Sequence, residues 1–309
     1  MAISHWIRAS RLRTLPLASA CVLVGGAVSF RSVAHDDLAQ ERFWLVFALV
    51  LLDVLLLQVV SNWANDWGDF EHGADDDRRT DRAVASGAIS SETMRRGVMV
   101  LALVAFIMGV TAVVVAWQDS PWLTAAIGMI VLGGLAILAA IRYTAGSNPY
   151  GYLGLGDVMV LIFFGWVGVM GSAFMLTHAW SWTWLLPATW CGLLSTAVLN
   201  LNNMRDHEGD AGAGKRTLVV RMGWARAKWY HLACLAVGWA AWWVFAAVLE
   251  AGQWRGLEWL AAINAVHAAH AWRVWRCEVP ADLDPELKKV ALSTAVAALF
   301  MLLAQTAAA

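Results

Sequence analysis

The sequence predicts an all-α polytopic membrane protein with nine transmembrane helices. Three observations carry that prediction. Hydrophobic residues make up 60% of the 309 and charged ones only 15%, with a mean hydropathy of +0.59; a water-soluble domain has nowhere to bury so much apolar surface. The apolar residues gather into runs of about 20, the length that crosses a bilayer core. The basic residues are partitioned. Of the 22 Lys and Arg, Arg31, Arg42 and Arg255 fall on one side of the predicted spans and the other 19 on the opposite side. Basic loops face the cytoplasm, so the N-terminus and the loops at 65–96 and 204–225 are expected inside and the C-terminus outside. A missed span would scramble this partition, so the count and the asymmetry support each other.

Taken in order, the first span is expected at 14–30. Its basic, apolar start would suit a cleavable signal, but Pro16 opens the run as it would open a helix and further spans follow, so a retained helix is expected. The second, at 43–64, carries Asp53 and runs out into a polar stripe. The third and fourth lie at 97–117 and 122–143. The fifth, at 153–177, is entered through a polar, glycine-broken loop, "YTAGSNPYGYLGLGD". The sixth, at 182–203, runs into a second polar stripe. The seventh, eighth and ninth follow at 226–249, 256–274 and 287–306, and an Ala-rich tail ends the chain. No long polar segment is left over, so residues 1–309 form one membrane domain in the lipid bilayer. The 20 Trp fit interfacial belts. A net charge of -1 excludes nucleic acid as a partner suggested by bulk charge. Cys21, Cys191, Cys234 and Cys277 are scattered and form neither a zinc motif nor a disulfide framework.

Two acidic clusters stand out against this background. "NDWGD" follows span two and "RDHEGD" follows span six; Asp66 and Asp206 are 140 residues apart, four spans later in each case. Each cluster leads through Gly to a basic-basic-Thr tripeptide, Arg78-Arg79-Thr80 and Lys215-Arg216-Thr217. Two four-helix halves and a ninth helix would bring both clusters to the same membrane face, and a site shared between repeats is a common membrane design. Asn62, Asn65, Asp66 and Asp69 are spaced +3, +4 and +7, one face of a helix, with Gln58 on the same face. Asn202, Asp206 and Asp210 form a second such face, with Asn203 at its margin.

Carboxylates and amide carbonyls are hard oxygen donors suited to Mg²⁺, which takes one or two carboxylates, several waters and phosphate oxygens. Two facing stripes could hold Mg²⁺ on either side of a diphosphate. Without metal the carboxylates would repel it, and Arg78, Arg79, Arg82, Lys215 and Arg216 could neutralise what charge remains. Asp76, Asp77 and Asp81 fit neither face and read as solvated loop. The stretch lacks the ligand spacing and terminal Glu of an EF-hand.

At these residues the chain resembles the UbiA superfamily of membrane prenyltransferases, over nearly its whole length. The superfamily's N-D-x-x-D-x-x-x-D motif is met by Asn65, Asp66 and Asp69, but Gly73 stands at the last position and Asp75 follows two residues later. "NDWGDFEHGAD" looks like the form found in the 1,4-dihydroxy-2-naphthoate prenyltransferases of menaquinone synthesis. Asp206 and Asp210, within "NNMRDHEGDAGAGKRTL", meet the second motif, D-x-x-x-D. "TLPLA" (14–18) and the segment 143–172 are also similar to that branch. The resemblance implies nine helices around a central cavity in the bacterial inner membrane, capped by cytoplasmic loops, with Mg²⁺-bound polyprenyl diphosphate beneath them. It implies transfer of the polyprenyl group to 1,4-dihydroxy-2-naphthoate with loss of diphosphate and CO₂. The expected metal ligands are Asp66, Asp69, Asp206 and Asp210, supported by Asn62 and Asn65, with Asp75 added by resemblance alone. Lys215 and Arg216, then Arg78 and Arg79, are expected at the diphosphate. Arg13 or Arg142 could meet the acceptor's carboxylate, and Asn148, Tyr152 and Asp157 could shape its pocket. Tyr143, Phe163, Phe164 and Trp166 are candidates for shielding an allylic cation.

Asp53 projects opposite Asn62 and Asp69 and is expected to hydrogen-bond a neighbouring helix. His267 and His270 lie one helical turn apart in a stretch with no third metal ligand, and His72 and His207 read as bystanders. Other acceptors, such as 4-hydroxybenzoate, homogentisate, haem or chlorophyllide, are disfavoured by the first-motif form. A divalent-cation transporter would want acids deep in several facing spans, and only Asp53 and the shallow Asp157 qualify.

Overall fold

A computed structural model describes residues 3–75, 82–118, 120–249, 254 and 257–307, and every element among them is helical. A short α1 (Ile3–Ala9) leads through Arg11, whose φ is 45°, into α2 (Leu15–Ser29), with Pro16 in its first turn where a missing N–H costs nothing. The 35-residue α3 (Asp37–Glu71) starts under the Asp36 carboxylate, which accepts from the Ala39 N–H at 3.0 Å. Then come α4 (Ser91–Trp117), N-capped by Ser90, and α5 (Leu123–Arg142). α6 (Gly156–Thr177) widens into π-helix over Leu161–Met170. α7 (Leu185–Gly212), the short α8 (Leu218–Met222), α9 (Trp224–Val244, with a π turn over Phe245–Leu249), α10 (Leu257–Arg276) and α11 (Asp284–Thr306) complete the chain.

Eight candidate spans among the described residues are long and apolar enough to cross a membrane. Each coincides with a run expected from the sequence. α10 lies where the eighth run was expected, but Glu258, His267, His270, Arg273 and Arg276 dilute its apolar content, and it falls outside the eight. α2 is the hub: α3, α6, α7 and α11 pack on it, so the last helix closes against the first long one. α4 and α5 pack on α3, α9 on α7, and α10 bridges α9 and α11.

The tryptophans divide. Trp190, Trp239 and Trp242 are buried between α7 and α9, where Trp190 meets Trp239 edge-on at 5.5 Å and Trp242 meets Trp254 at 4.9 Å. Trp122, Trp180, Trp182, Trp229 and Trp272 are exposed near helix ends. A belt therefore accounts for part of the Trp content, and a packed core takes the rest.

Candidate functional site at the mouth of a central cavity

A cavity of about 370 Å³ opens where α3 and α7 end and continues down between α2, α3, α4, α5, α6 and α7. At its mouth stand Asn62, Asn65, Asp69, Asp75, Asp206, Asp210 and Lys215. Below, the wall is apolar, with Phe163, Phe164 and Val167 from α6 and Val110 and Val113 from α4. The two acidic stripes thus meet at one end of one cavity.

Twin helix stops put them there. α3 ends in a Schellman motif: the Ala74 N–H returns to the Asp69 carbonyl at 2.8 Å and the Gly73 N–H to Phe70 at 3.0 Å. α7 ends the same way, with Lys215 N–H on the Asp210 carbonyl at 2.8 Å and Gly214 on Ala211 at 3.2 Å. Gly73 and Gly214 take the left-handed conformation such a stop requires, at φ 71° and 73°. Gly73 therefore stands four residues after Asp69 as Gly214 stands four after Asp210. The first stop folds Asp75 back so that its N–H reaches the Asp69 carbonyl at 3.3 Å, and the second turns Lys215 inward.

The carboxylates are interleaved with cations. Lys215 Nζ lies 3.2 Å from Asp69 Oδ1 and 3.8 Å from Asp210 Oδ1. Arg82 Nε lies 3.2 Å from Asp75 Oδ2 and its Nη2 3.7 Å from Asp69 Oδ2. Arg205 holds Asp206 at 2.8 Å, donates to Asn202 Oδ1, and reaches Asp284, which also binds Arg13 at 2.9 Å. Burial by itself would discharge the Lys215 ammonium, but Asp69 and Asp210 outweigh it and raise its pKa. The Tyr152 hydroxyl donates to Asp69 Oδ1 at 3.0 Å; burial, then the Asp69 charge, hold that proton far above the usual tyrosine range. Burial, then the Asp157 charge, do the same for Tyr143, whose ring lines the cavity.

The expected residues do not all reach the cavity. Asp66 stands behind the wall, where its Oδ2 accepts from the Ala83 N–H at 3.0 Å, while its buried Oδ1 has no hydrogen-bond partner among the described residues. Asn62 donates to the Ser10 carbonyl and to Thr14, and Asn65 Oδ1 accepts from Thr144. Arg216, Arg142 and Asn148 carry exposed side chains outside the lining, and Asp157 is buried behind it. Trp166 is on the outer surface, donating to Thr189. Arg78 and Arg79, with Asp76, Asp77 and Asp81, lie outside the described residues. His72 bonds the Gly146 carbonyl and His207 that of Met204. His267 is held by Trp239 and Ser293, and His270 by His231 and Glu286, which tie α9, α10 and α11 together.

Asp53 departs from expectation. It lines the same cavity, and its buried Oδ1 has no hydrogen-bond partner among the described residues. A projection that sets Asp53 opposite Asn62 misses this because the lining covers a broad arc of α3. Val50, Leu57 and Ser61 occupy the middle of that arc, with Asp53 at one margin and Asn62 and Asp69 at the other.

Arg11 and Arg205 were not singled out in the sequence as site residues. Arg11 lines the cavity within electrostatic reach of Asp66, its Nη2 is buried without a hydrogen-bond partner, and its backbone is strained. The readable signals are slight: Arg11 stands two residues before Arg13, and Arg205 immediately precedes Asp206.

Among the described residues no three His, Cys, Asp or Glu side chains converge as a metal cage. An all-oxygen donor set of carboxylates and amide carbonyls around one cavity mouth still fits Mg²⁺ that draws its remaining ligands from phosphate and water.

The model of the UbiA prenyltransferase family matches residues 18–294. The chain belongs to that family. It is similar to the 1,4-dihydroxy-2-naphthoate octaprenyltransferases of Escherichia coli, at 44% identity over 75% of this chain and 73% of the relative, and of Haemophilus influenzae, at 41% over 82% and 80%. A solved structure of a digeranylgeranylglyceryl phosphate synthase shares the fold with a TM-score of 0.55 at 16% identity, covering 96% of this chain and 98% of that one. The family assignment therefore rests on sequence, and the solved structure adds the same arrangement of helices.

Proposed function

We propose that this family member transfers a polyprenyl group from polyprenyl diphosphate to 1,4-dihydroxy-2-naphthoate, releasing diphosphate and CO₂ and giving the demethylated menaquinol. The observation that carries prenyl transfer is a single cavity with carboxylates and cations at its mouth and hydrocarbon-lined walls below. Such a shape receives an anionic headgroup and an isoprenoid tail at once. The acceptor rests on the octaprenyltransferase relatives and on the Asp69–Gly73–Asp75 arrangement.

In this reading Asp69, Asp75, Asp206 and Asp210, with the carbonyl oxygens of Asn62 and Asn65, hold Mg²⁺, and Asp66 steadies the segment around Ala83. The chemistry Mg²⁺ supplies when bound is Lewis-acid neutralisation of the leaving diphosphate. Lys215, Arg82 and Arg11 bind the diphosphate oxygens and take up the charge that grows on them as the allylic C–O bond breaks with its electron pair. Tyr143, Phe163 and Phe164 line the space beside the mouth. They exclude water from the allylic centre and offer π faces to its positive charge. Arg13, also in the cavity lining, meets the acceptor carboxylate. The electron-rich ring forms the new C–C bond, and departing CO₂ leaves its electron pair on the ring, so no net proton is required. α10 serves as a ninth crossing, its histidines turned inward. The mouth and the N-terminus face the cytoplasm of a bacterial inner membrane.

The test is an assay in membranes with polyprenyl diphosphate, Mg²⁺ and either 1,4-dihydroxy-2-naphthoate or 4-hydroxybenzoate. Prenylated naphthoquinol, lost with EDTA and restored by Mg²⁺, is expected. Turnover of 4-hydroxybenzoate alone would overturn the acceptor, and full activity in EDTA would overturn the metal.

A further inference from the structure

We infer that Asp53 determines how long a hydrocarbon tail the cavity accepts at low cost, which makes it a specificity residue within the prenyl-transfer reading above. The reaction needs nothing from it. Asp53 sits 13 residues before Asp66 on α3, which places it about 20 Å down the helix from the acidic mouth. Its neighbours in the wall are Val50, Val54, Leu57, Val110 and Val113.

An aspartate at the centre of a membrane helix is costly, and such groups normally face a partner or a water-filled cavity. Here the first option is missing: Oδ1 has no hydrogen-bond partner among the described residues. The bundle even makes room for the carboxyl, because a Cβ on Gly109 of α4 would lie 3.1 Å from Asp53 Oδ2. No hydrogen bond ties Oδ1 to α4, and the Asp53 side chain stands in the cavity wall.

The cavity is continuous from Lys215 and Asp69 to Asp53. A donor whose tail ends above Asp53 leaves the space beside the carboxyl free. A longer tail packs hydrocarbon against a polar group without supplying a hydrogen bond. Covering a polar group in this way weakens binding by about tenfold. The penalty falls on ground-state binding of long tails and spares the bond-breaking step at the mouth. It should appear in KM and not in kcat.

The experiment compares farnesyl, geranylgeranyl and octaprenyl diphosphates as donors for the wild-type protein, Asp53→Leu and Asp53→Asn, with kcat and KM measured separately in membranes. In the wild type, KM is expected to step up by about tenfold between the tails that stop short of Asp53 and those that pass it. Asp53→Leu removes the step by lowering KM for the long donor only, Asp53→Asn keeps it, and kcat stays within about twofold throughout. Gly109→Ala, which leaves the carboxyl in place but crowds it, raises KM for the long donor further. The inference is overturned if Asp53→Leu changes KM equally for all donors, or if the wild type shows no step. A wild-type protein that turns over no prenyl donor overturns the prenyl-transfer reading and this inference together, whereas a flat length profile with good turnover overturns this inference alone.

Discussion

Replacing Lys215 by Met tests whether the cation between the two acidic stripes serves the fold or the chemistry. Its ammonium lies 3.2 Å from Asp69 and 3.8 Å from Asp210, with side-chain exposures of 11% for Lys215 and 4% for Asp69. Removing one partner of a buried pair costs about 3–5 kcal/mol, because the other charge stays buried without compensation. Tyr152 still donates to Asp69 and Arg82 still faces it, so the lower end, about 3 kcal/mol, is expected for Lys215→Met. Adding Asp69→Asn removes the stranded charge and should return about 2 kcal/mol, a coupling of the size found for contacting residues. Turnover should behave differently. If Lys215 binds the leaving diphosphate, both the single and the double variant lose about 10²–10³ in kcat, as when a donor to a developing anion is deleted. Thermal unfolding of purified protein reads the first quantity and membrane turnover the second. Recovery of activity together with stability in the double variant would refute the reasoning, because Lys215 would then only neutralise Asp69.

Other outcomes follow from the same geometry. Gly73→Ala meets no steric obstacle, since nothing lies within 4 Å of the added Cβ, but it forces a left-handed φ of 71° on alanine; a loss of about 1–2 kcal/mol in unfolding free energy and reduced turnover from a displaced Asp75 are expected. Arg11→Gly relieves a φ of 45° and should raise stability by about 1 kcal/mol while raising KM for an anionic substrate; unchanged KM would remove Arg11 from the site. Tyr152 keeps its proton in the folded protein above the pH at which the unfolded chain releases it, so stability falls as pH rises past about 10. In Tyr152→Phe that fall should be shallower by about 1.4 kcal/mol per pH unit, read from unfolding at successive pH values.

Much of the site was legible because helical spacing survives in sequence. The spacing of Asn62, Asn65 and Asp69 and that of Asp206 and Asp210 predicted two stripes, and both line the cavity. Asp66 belongs to the same sequence face yet turns behind the wall, because the Ala83 N–H, supplied from beyond the helix, captures its carboxylate. That contact has no local signature. Asp53 was misjudged for a geometric reason: the cavity lining covers a broad arc of α3, and Asp53 and Asn62 stand at its two margins. Arg11 and Arg205 were hidden among the many basic residues that topology alone places on that side. The glycine at position 73 was read as a mark of kinship, and its physical reason, a left-handed helix stop, became visible only beside its twin at Gly214.

Those twin stops have an electrostatic consequence. α3 and α7 both finish at the cavity mouth, and a helix carries roughly half a negative charge at its C-terminal end. Two such ends add to Asp69, Asp75, Asp206 and Asp210, so the backbone itself draws cations to the mouth and repels a bare anion. The backbone polarity of both helices thus favours a donor that arrives with its charge already matched by cations, and this preference is set by the direction in which the two helices run.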